Sequence, residues 1–195
     1  MRHAPKVISA LLLTVLLACA GGDSAQAGVD GRYGLGQPAT AAEIAQMDHD
    51  IGPEGLELPP GRGTVAEGAT LYAVQCASCH GAKGEGIAPA FPQLVGRDPK
   101  AEGFAFSTDQ KLVHTIGNYW PYATTLFDYI KRAMPQAAPG SLTDDQLYAV
   151  TAYLLAANQI IPDTAALDAA SLRAVQMPYR DRFVPDDRRP GAVVR

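Results

Sequence analysis

"VQCASCHGAKGEG", residues 74–86, contains Cys76-Ala77-Ser78-Cys79-His80. Cysteines at i and i+3 lie on one side of a helical turn, so both sulfurs can reach the two vinyl groups of one porphyrin. The next residue then turns its imidazole toward the iron as the proximal ligand. Two other chemistries use a CxxC. A redox disulfide belongs to a strand-rich fold of which this sequence shows no sign, and a zinc site needs a second ligand pair that is not found here. The motif therefore predicts one haem c, covalently bound through Cys76 and Cys79, with His80 as an axial ligand of the iron.

The flanks of the motif read as helix. "TVAEGATLYAVQC", residues 64–76, offers Thr64 as N-cap with Glu67 three positions on, a capping box. Gly68, Tyr72 and Cys76 then recur every four residues along one face. Farther along, "SLTDDQLYAVTAYLLAAN", residues 141–158, repeats the device with Thr143 and Gln146. Its apolar stripe is Leu147, Val150, Tyr153, Leu154 and Ala157. These two helices are expected to cross, with Gly68 admitting the aromatic side chain of Tyr153.

A haem iron needs a sixth ligand or a deliberate vacancy. Met1 leaves with the N-terminal segment described below, and Met47 sits in a polar stretch. Met134 follows the helical run "TTLFDYIKRA" and precedes Pro135, which would end that helix and stiffen a ligand loop. Met134 is the favoured axial ligand. Met177, also followed by Pro, is the alternative, and His114 is a further one, on a short helix begun by Ser107 and Gln110. The choice bears on potential, because a thioether favours ferrous iron relative to a second imidazole.

Other residues line up as pocket. In "FPQLVGR" the Pro92 carbonyl is placed to accept the His80 ring N–H, Leu94 to pack on the porphyrin, and Arg97 to pair with a propionate. Trp120 and Tyr122, in "NYWPYATT", carry N–H and O–H donors suited to propionates.

Residues 28–63 mix Gly, Pro and acidic side chains without a long apolar period, so they should wrap or dangle, with a helical turn or two in "AAEIAQMDHD". Residues 161–195 include "PYRDRFVPDDRRP", whose alternating charges suit a surface more than a core. The chain begins with basic "MRHAPK" and apolar "VISALLLTVLL", an export signal. Two exits from it are open: "LLAC", which would lipidate Cys19 and anchor the protein to a membrane, or "AQA", Ala25 to Ala27, for ordinary cleavage. The expected organisation is a signal over 1–18 (or 1–27), an N-terminal extension over 19–63, a haem domain over 64–160 and a C-terminal arm over 161–195. Export implies a periplasmic location. A formal net charge of -4 argues against nucleic acid as a partner, since phosphate binding needs clustered Lys and Arg.

Four stretches together resemble the cytochrome c subunits of sulfite and sulfane dehydrogenases. They are residues 33–64 ahead of the haem helix, "CASCHGAKGEG", the block from "TIGNYWPYATT" through "RAMPQAAPGSLT" to "LLAAN", and the tail "VQMPYRDRFVPDDRRP". The resemblance implies an all-α, small cytochrome c fold, with crossed N- and C-terminal helices around one covalently bound haem and with extended N- and C-terminal arms. It implies His80 and Met134 as axial ligands. It also implies a molybdenum-cofactor sulfite or sulfane dehydrogenase subunit as partner, and a downstream acceptor such as another cytochrome c or an oxidase. The protein would be an electron-transfer subunit rather than an enzyme in itself. Two other functions remain open: a general periplasmic or membrane-anchored cytochrome without a dedicated partner, and a haem enzyme such as a peroxidase. The single CxxCH and the placement of Met134 argue against the latter.

Overall fold

The computed structural model of the chain describes residues 36–97, Phe106, Asp109 and 111–184. The export signal, Cys19, the Ala25–Ala27 site, Ser107 and Gln110 lie outside the described residues. A short helix α1 (Ala41–Met47) comes first, as the "AAEIAQ" stretch leads one to expect. Glu43 caps it by accepting the Thr40 N–H at 2.8 Å, and none of its residues is buried.

The remaining elements are β1 (Arg62–Thr64), α2 (Val65–Gln75), α3 (Ala77–His80), α4 (Ala123–Ala133), α5 (Asp144–Ala157), β2 (Ala166–Asp168) and α6 (Ala169–Ala174), then a 3-10 turn at Arg180–Arg182. Both capping boxes read from the sequence are present. Thr64 accepts from the Glu67 N–H while the Glu67 carboxylate accepts the Thr64 N–H, and Thr143 and Gln146 do the same for α5. Each box satisfies two helix-end donors that would otherwise lack partners. A third box, Asp168 with Ser171, opens α6. Pro135 follows α4, whose C-cap is Met134.

Helices α2 and α5 cross at Gly68. A Cβ there would fall 1.9 Å from the Ala149 carbonyl oxygen and 2.8 Å from the Tyr153 Cβ. The glycine is thus required chiefly by the backbone of Ala149, and the expected partner Tyr153 lies beside that contact. Its ring leans instead on Tyr72, 4.9 Å away between centroids. Helix α5 is buried over far more than the stripe seen in the sequence: Tyr148, Ala149, Thr151, Ala152, Leu155 and Ala156 join it. A helix apolar on all sides sits at the centre of its domain. Helix α4 covers it with Leu126, Phe127 and Ile130, and the Phe127 and Tyr148 rings meet at 4.7 Å.

Two features depart from the sequence reading. The fold is helical but not purely so, since β1 pairs antiparallel with β2 in the register Arg62↔Asp168, Gly63↔Leu167, Thr64↔Ala166. Three-residue strands are too short to display an alternation. In addition, residues just beyond 160 are no surface arm, because Leu167, Leu172 and Met177 are buried in the main core. Within the stretch expected to wrap or dangle, residues 51–59 are tied to α4 and α5. Asp128, on α4 and 5% exposed, accepts the Ile51 N–H at 2.9 Å. Thr124 donates to the Pro53 carbonyl and Tyr148 to the Pro59 carbonyl.

Candidate haem site

The attachment motif lies where α2 passes into α3. The Cys79 and His80 N–H groups both donate to the Cys76 carbonyl, at 3.1 and 2.9 Å, which winds the three residues into a single turn. Both cysteines are half-buried and neither forms a disulfide. The buried Tyr72 hydroxyl donates to the Gly81 carbonyl at 2.9 Å and pins the end of the turn. Loss of solvent around Tyr72 raises its pKa well above the usual phenol range.

His80 is 8% exposed, and its Nδ1 lies 3.0 Å from the Pro92 carbonyl oxygen. This is the hydrogen bond the sequence suggested. With Nδ1–H as donor, Nε2 is the nitrogen left free to coordinate. The loop between them folds back on itself. The Gly86 N–H donates to the His80 carbonyl at 2.7 Å, and Ile87 and Phe91 exchange two backbone bonds. Gly86 has φ +76, and a Cβ on it would stand 2.7 Å from the Gln93 nitrogen and 2.9 Å from the Pro92 carbonyl carbon. Only glycine lets the two arms of the loop come this close.

The other expected site residues fall into two groups. Met134 and Leu94 are half-buried against the main core, whereas Arg97 is exposed and its Nη1 reaches the Gln159 carbonyl at 3.4 Å. Arg97 and Lys111 bring two cations to an open cavity of about 400 Å³. The Trp120 indole N–H donates to Thr125 Oγ1 at 3.0 Å. Tyr122 is half-buried, with the Arg180 guanidinium 5.0 Å from its ring centroid.

The alternative sixth ligands are placed differently from expectation. Met177 is not in a solvated tail but is a buried core side chain. His114 is exposed and lies in no helix; it stacks on Tyr119 with centroids 4.0 Å apart. Among the described residues no set of three or more His, Cys, Asp or Glu gathers to hold a metal ion, so Cys76 and Cys79 lack zinc partners there. The donor set fits haem c instead: two thiols on one turn, one buried imidazole with a single free nitrogen, and a thioether at a helix end.

Comparison with known proteins agrees. The Cytochrome c family matches residues 65–158. The crystal structure of the sulfane dehydrogenase SoxCD from Paracoccus pantotrophus is 41% identical, with a TM-score of 0.66 over 80% of this chain and 73% of that one. The chain is a c-type cytochrome of the sulfur dehydrogenase family. A thiosulfate dehydrogenase of Stutzerimonas stutzeri (strain A1501) is 32% identical over 100 residues, 49% of this chain and 28% of that protein. This cytochrome thus spans well under a third of that relative.

As a member of the cytochrome c family, the chain carries one covalently bound haem c. Sequence reasoning passed over two buried polar residues, Asp128 and Asn158. Asn158 reads only as a helix end, and the i,i+4 pair of Asp128 with Arg132 gives no hint of the distant partner of Asp128. Besides partners four residues away, Asp128 holds Ile51 at a separation of 77 and Asn158 holds Gly96 and Leu94 at 62 and 64.

Proposed function

We propose that this cytochrome is the electron-transfer subunit of a periplasmic sulfur-compound dehydrogenase. It would take electrons one at a time from a molybdenum-cofactor subunit oxidising sulfite or sulfane sulfur, and pass them to another cytochrome c or an oxidase. The observation that carries this reading is the 41% identity to a sulfane dehydrogenase over most of both chains. The chain is exported in this reading, with either a lipid on Cys19 or cleavage after Ala27.

When bound, haem c supplies a one-electron centre. The protein's residues hold and tune it. Cys76 and Cys79 would tether it, His80 would ligate through Nε2, and Met134 would supply a thioether ligand. The Pro92 carbonyl orients the imidazole and increases its basicity. The soft thioether and the apolar surroundings disfavour the extra positive charge of ferric iron and raise the potential. Arg97, which lines a cavity together with Lys111, would pair with a propionate.

The test is reduction of the purified ferric protein by sulfite, followed at the α-band, with and without a periplasmic fraction from the source organism. Reduction that requires both sulfite and the fraction supports the proposal. If sulfite fails while a generic reductant works, protein-bound sulfane sulfur is the next donor. Failure of both overturns the dehydrogenase assignment in favour of a general cytochrome c.

A further inference from the structure

The His80 hydrogen bond depends on where Pro92 is held, and a loop exposed at Pro92 and Arg97 does not hold itself. Two residues past Pro92, the loop meets the buried end of α5. Asn158, 1% exposed, caps that helix. Its Nδ2 donates to the Leu154 carbonyl at 2.8 Å, which locks the side chain onto its own helix. The same Nδ2 donates to the Leu94 carbonyl at 3.3 Å, while Oδ1 accepts the Gly96 N–H at 3.0 Å.

A primary amide offers one acceptor group and two N–H donors. Here it grips a carbonyl and an N–H two residues apart, much as a neighbouring strand would. The grip is reinforced from both sides. The Leu94 and Val95 N–H groups donate to the Gly84 carbonyl at 2.8 and 3.0 Å, and Ile116 donates to Leu94 at 3.1 Å. The buried Thr115 hydroxyl donates to the Gly96 carbonyl. Space for the amide is left by Gly117, where a Cβ would lie 2.5 Å from Asn158 Oδ1.

We propose that Asn158 is a positioning residue for the proximal ligand: by clamping Leu94 and Gly96 to the end of α5, it holds the Pro92 carbonyl against His80 Nδ1. This rests on His80 being an iron ligand. Loss of the clamp loosens the His80–Pro92 bond, lowers imidazole basicity and leaves ferric iron less stabilised. The potential then rises and the ring N–H exchanges faster with solvent.

The experiment uses the haem-loaded full chain. Asn158→Leu is nearly isosteric and removes all three bonds. Gly117→Ala leaves the amide in place but presses a methyl on its oxygen and on the Gly96 carbonyl it helps hold, so it strains the same clamp, and it decides the question if Asn158→Leu does not mature. Both are compared with Leu172→Ala on α6, a core truncation on a helix that packs against β2 and α4. The readouts are the reduction potential and the exchange rate of the hyperfine-shifted His80 Nδ1–H resonance in the ferric protein. The expected result is an upward potential shift and an exchange rate increased about tenfold, with a smaller change of the same sign in Gly117→Ala and none in Leu172→Ala. Variants that lose stability but keep the potential and exchange rate of the parent would overturn the proposal. A parent protein with no hyperfine-shifted His80 ring resonance would instead overturn the ligand assignment itself.

Discussion

Met134 closes α4 with its N–H on the Ile130 carbonyl and its side chain half-buried against the core. Its neighbour in sequence on the helix, the Asp128–Arg132 ion pair, shows how the same helix serves two ends. Asp128 holds Ile51 in the wrapped N-terminal segment, and its carboxylate raises the Arg132 pKa above the ordinary guanidinium value. At Met134 the expectation is specific. Met134→Ala should keep haem attached through Cys76 and Cys79, yet lower the potential and let ferrous iron bind carbon monoxide. Redox titration and a carbon monoxide difference spectrum check this, and an unchanged spectrum and potential would remove Met134 from the ligand set.

Between elements, the α2–α5 crossing is the tightest contact near the haem turn. It needs Gly68 because the Ala149 carbonyl occupies the space a side chain would take. A backbone oxygen on a central helix cannot rotate away as a side chain can. Gly68→Ala therefore should force the helices apart and destabilise the fold by about 1–3 kcal/mol or more, despite alanine's better helix propensity. Thermal unfolding of the haem-loaded variant measures it. A midpoint equal to that of the parent would mean that the crossing yields at little cost.

At the scale of the whole molecule, the segment after α5 is part of the domain. Removing residues 161–195 would strip Leu167, Leu172 and Met177 from the core, and Asp168 and its strand from β1. Each such side chain is worth about 1.5–3 kcal/mol, so the loss is comparable to a typical stability of about 5–15 kcal/mol. The truncated chain should show no cooperative unfolding transition by circular dichroism. Besides Glu43 on α1, held down by Thr40, acid acts through three carboxylates around the core. Glu67 and Asp168 are held below their ordinary pKa by capping-box partners Thr64 and Ser171, and Glu85 by its own and the Lys83 backbone N–H. A lowered folded pKa gives stability that is complete above the unfolded value and is lost as pH falls through the folded one. The thermal midpoint should hold steady at mildly acidic pH and fall as pH drops below the ordinary values of 4.5 for Glu and 3.8 for Asp.

What could be read without a fold was local. The CxxCH motif is a single turn of five consecutive residues. The helix starts are boxes of four residues, and Pro135 stops α4 directly after its cap. Local geometry of this kind is set by backbone sterics and by hydrogen bonds between near neighbours. The capacity to bind haem c and the principal helices were therefore legible from spacing alone. Tertiary structure decided the rest. The β1–β2 pair, the buried Leu172 and the Ile51–Asp128 bond join distant parts of the chain through elements too short, or residues too isolated, to carry a period. Asn158 reads in sequence only as a helix end. Its grip on Leu94 and Gly96 exists because packing of α5 at the centre of the core brings that end against the loop that faces His80.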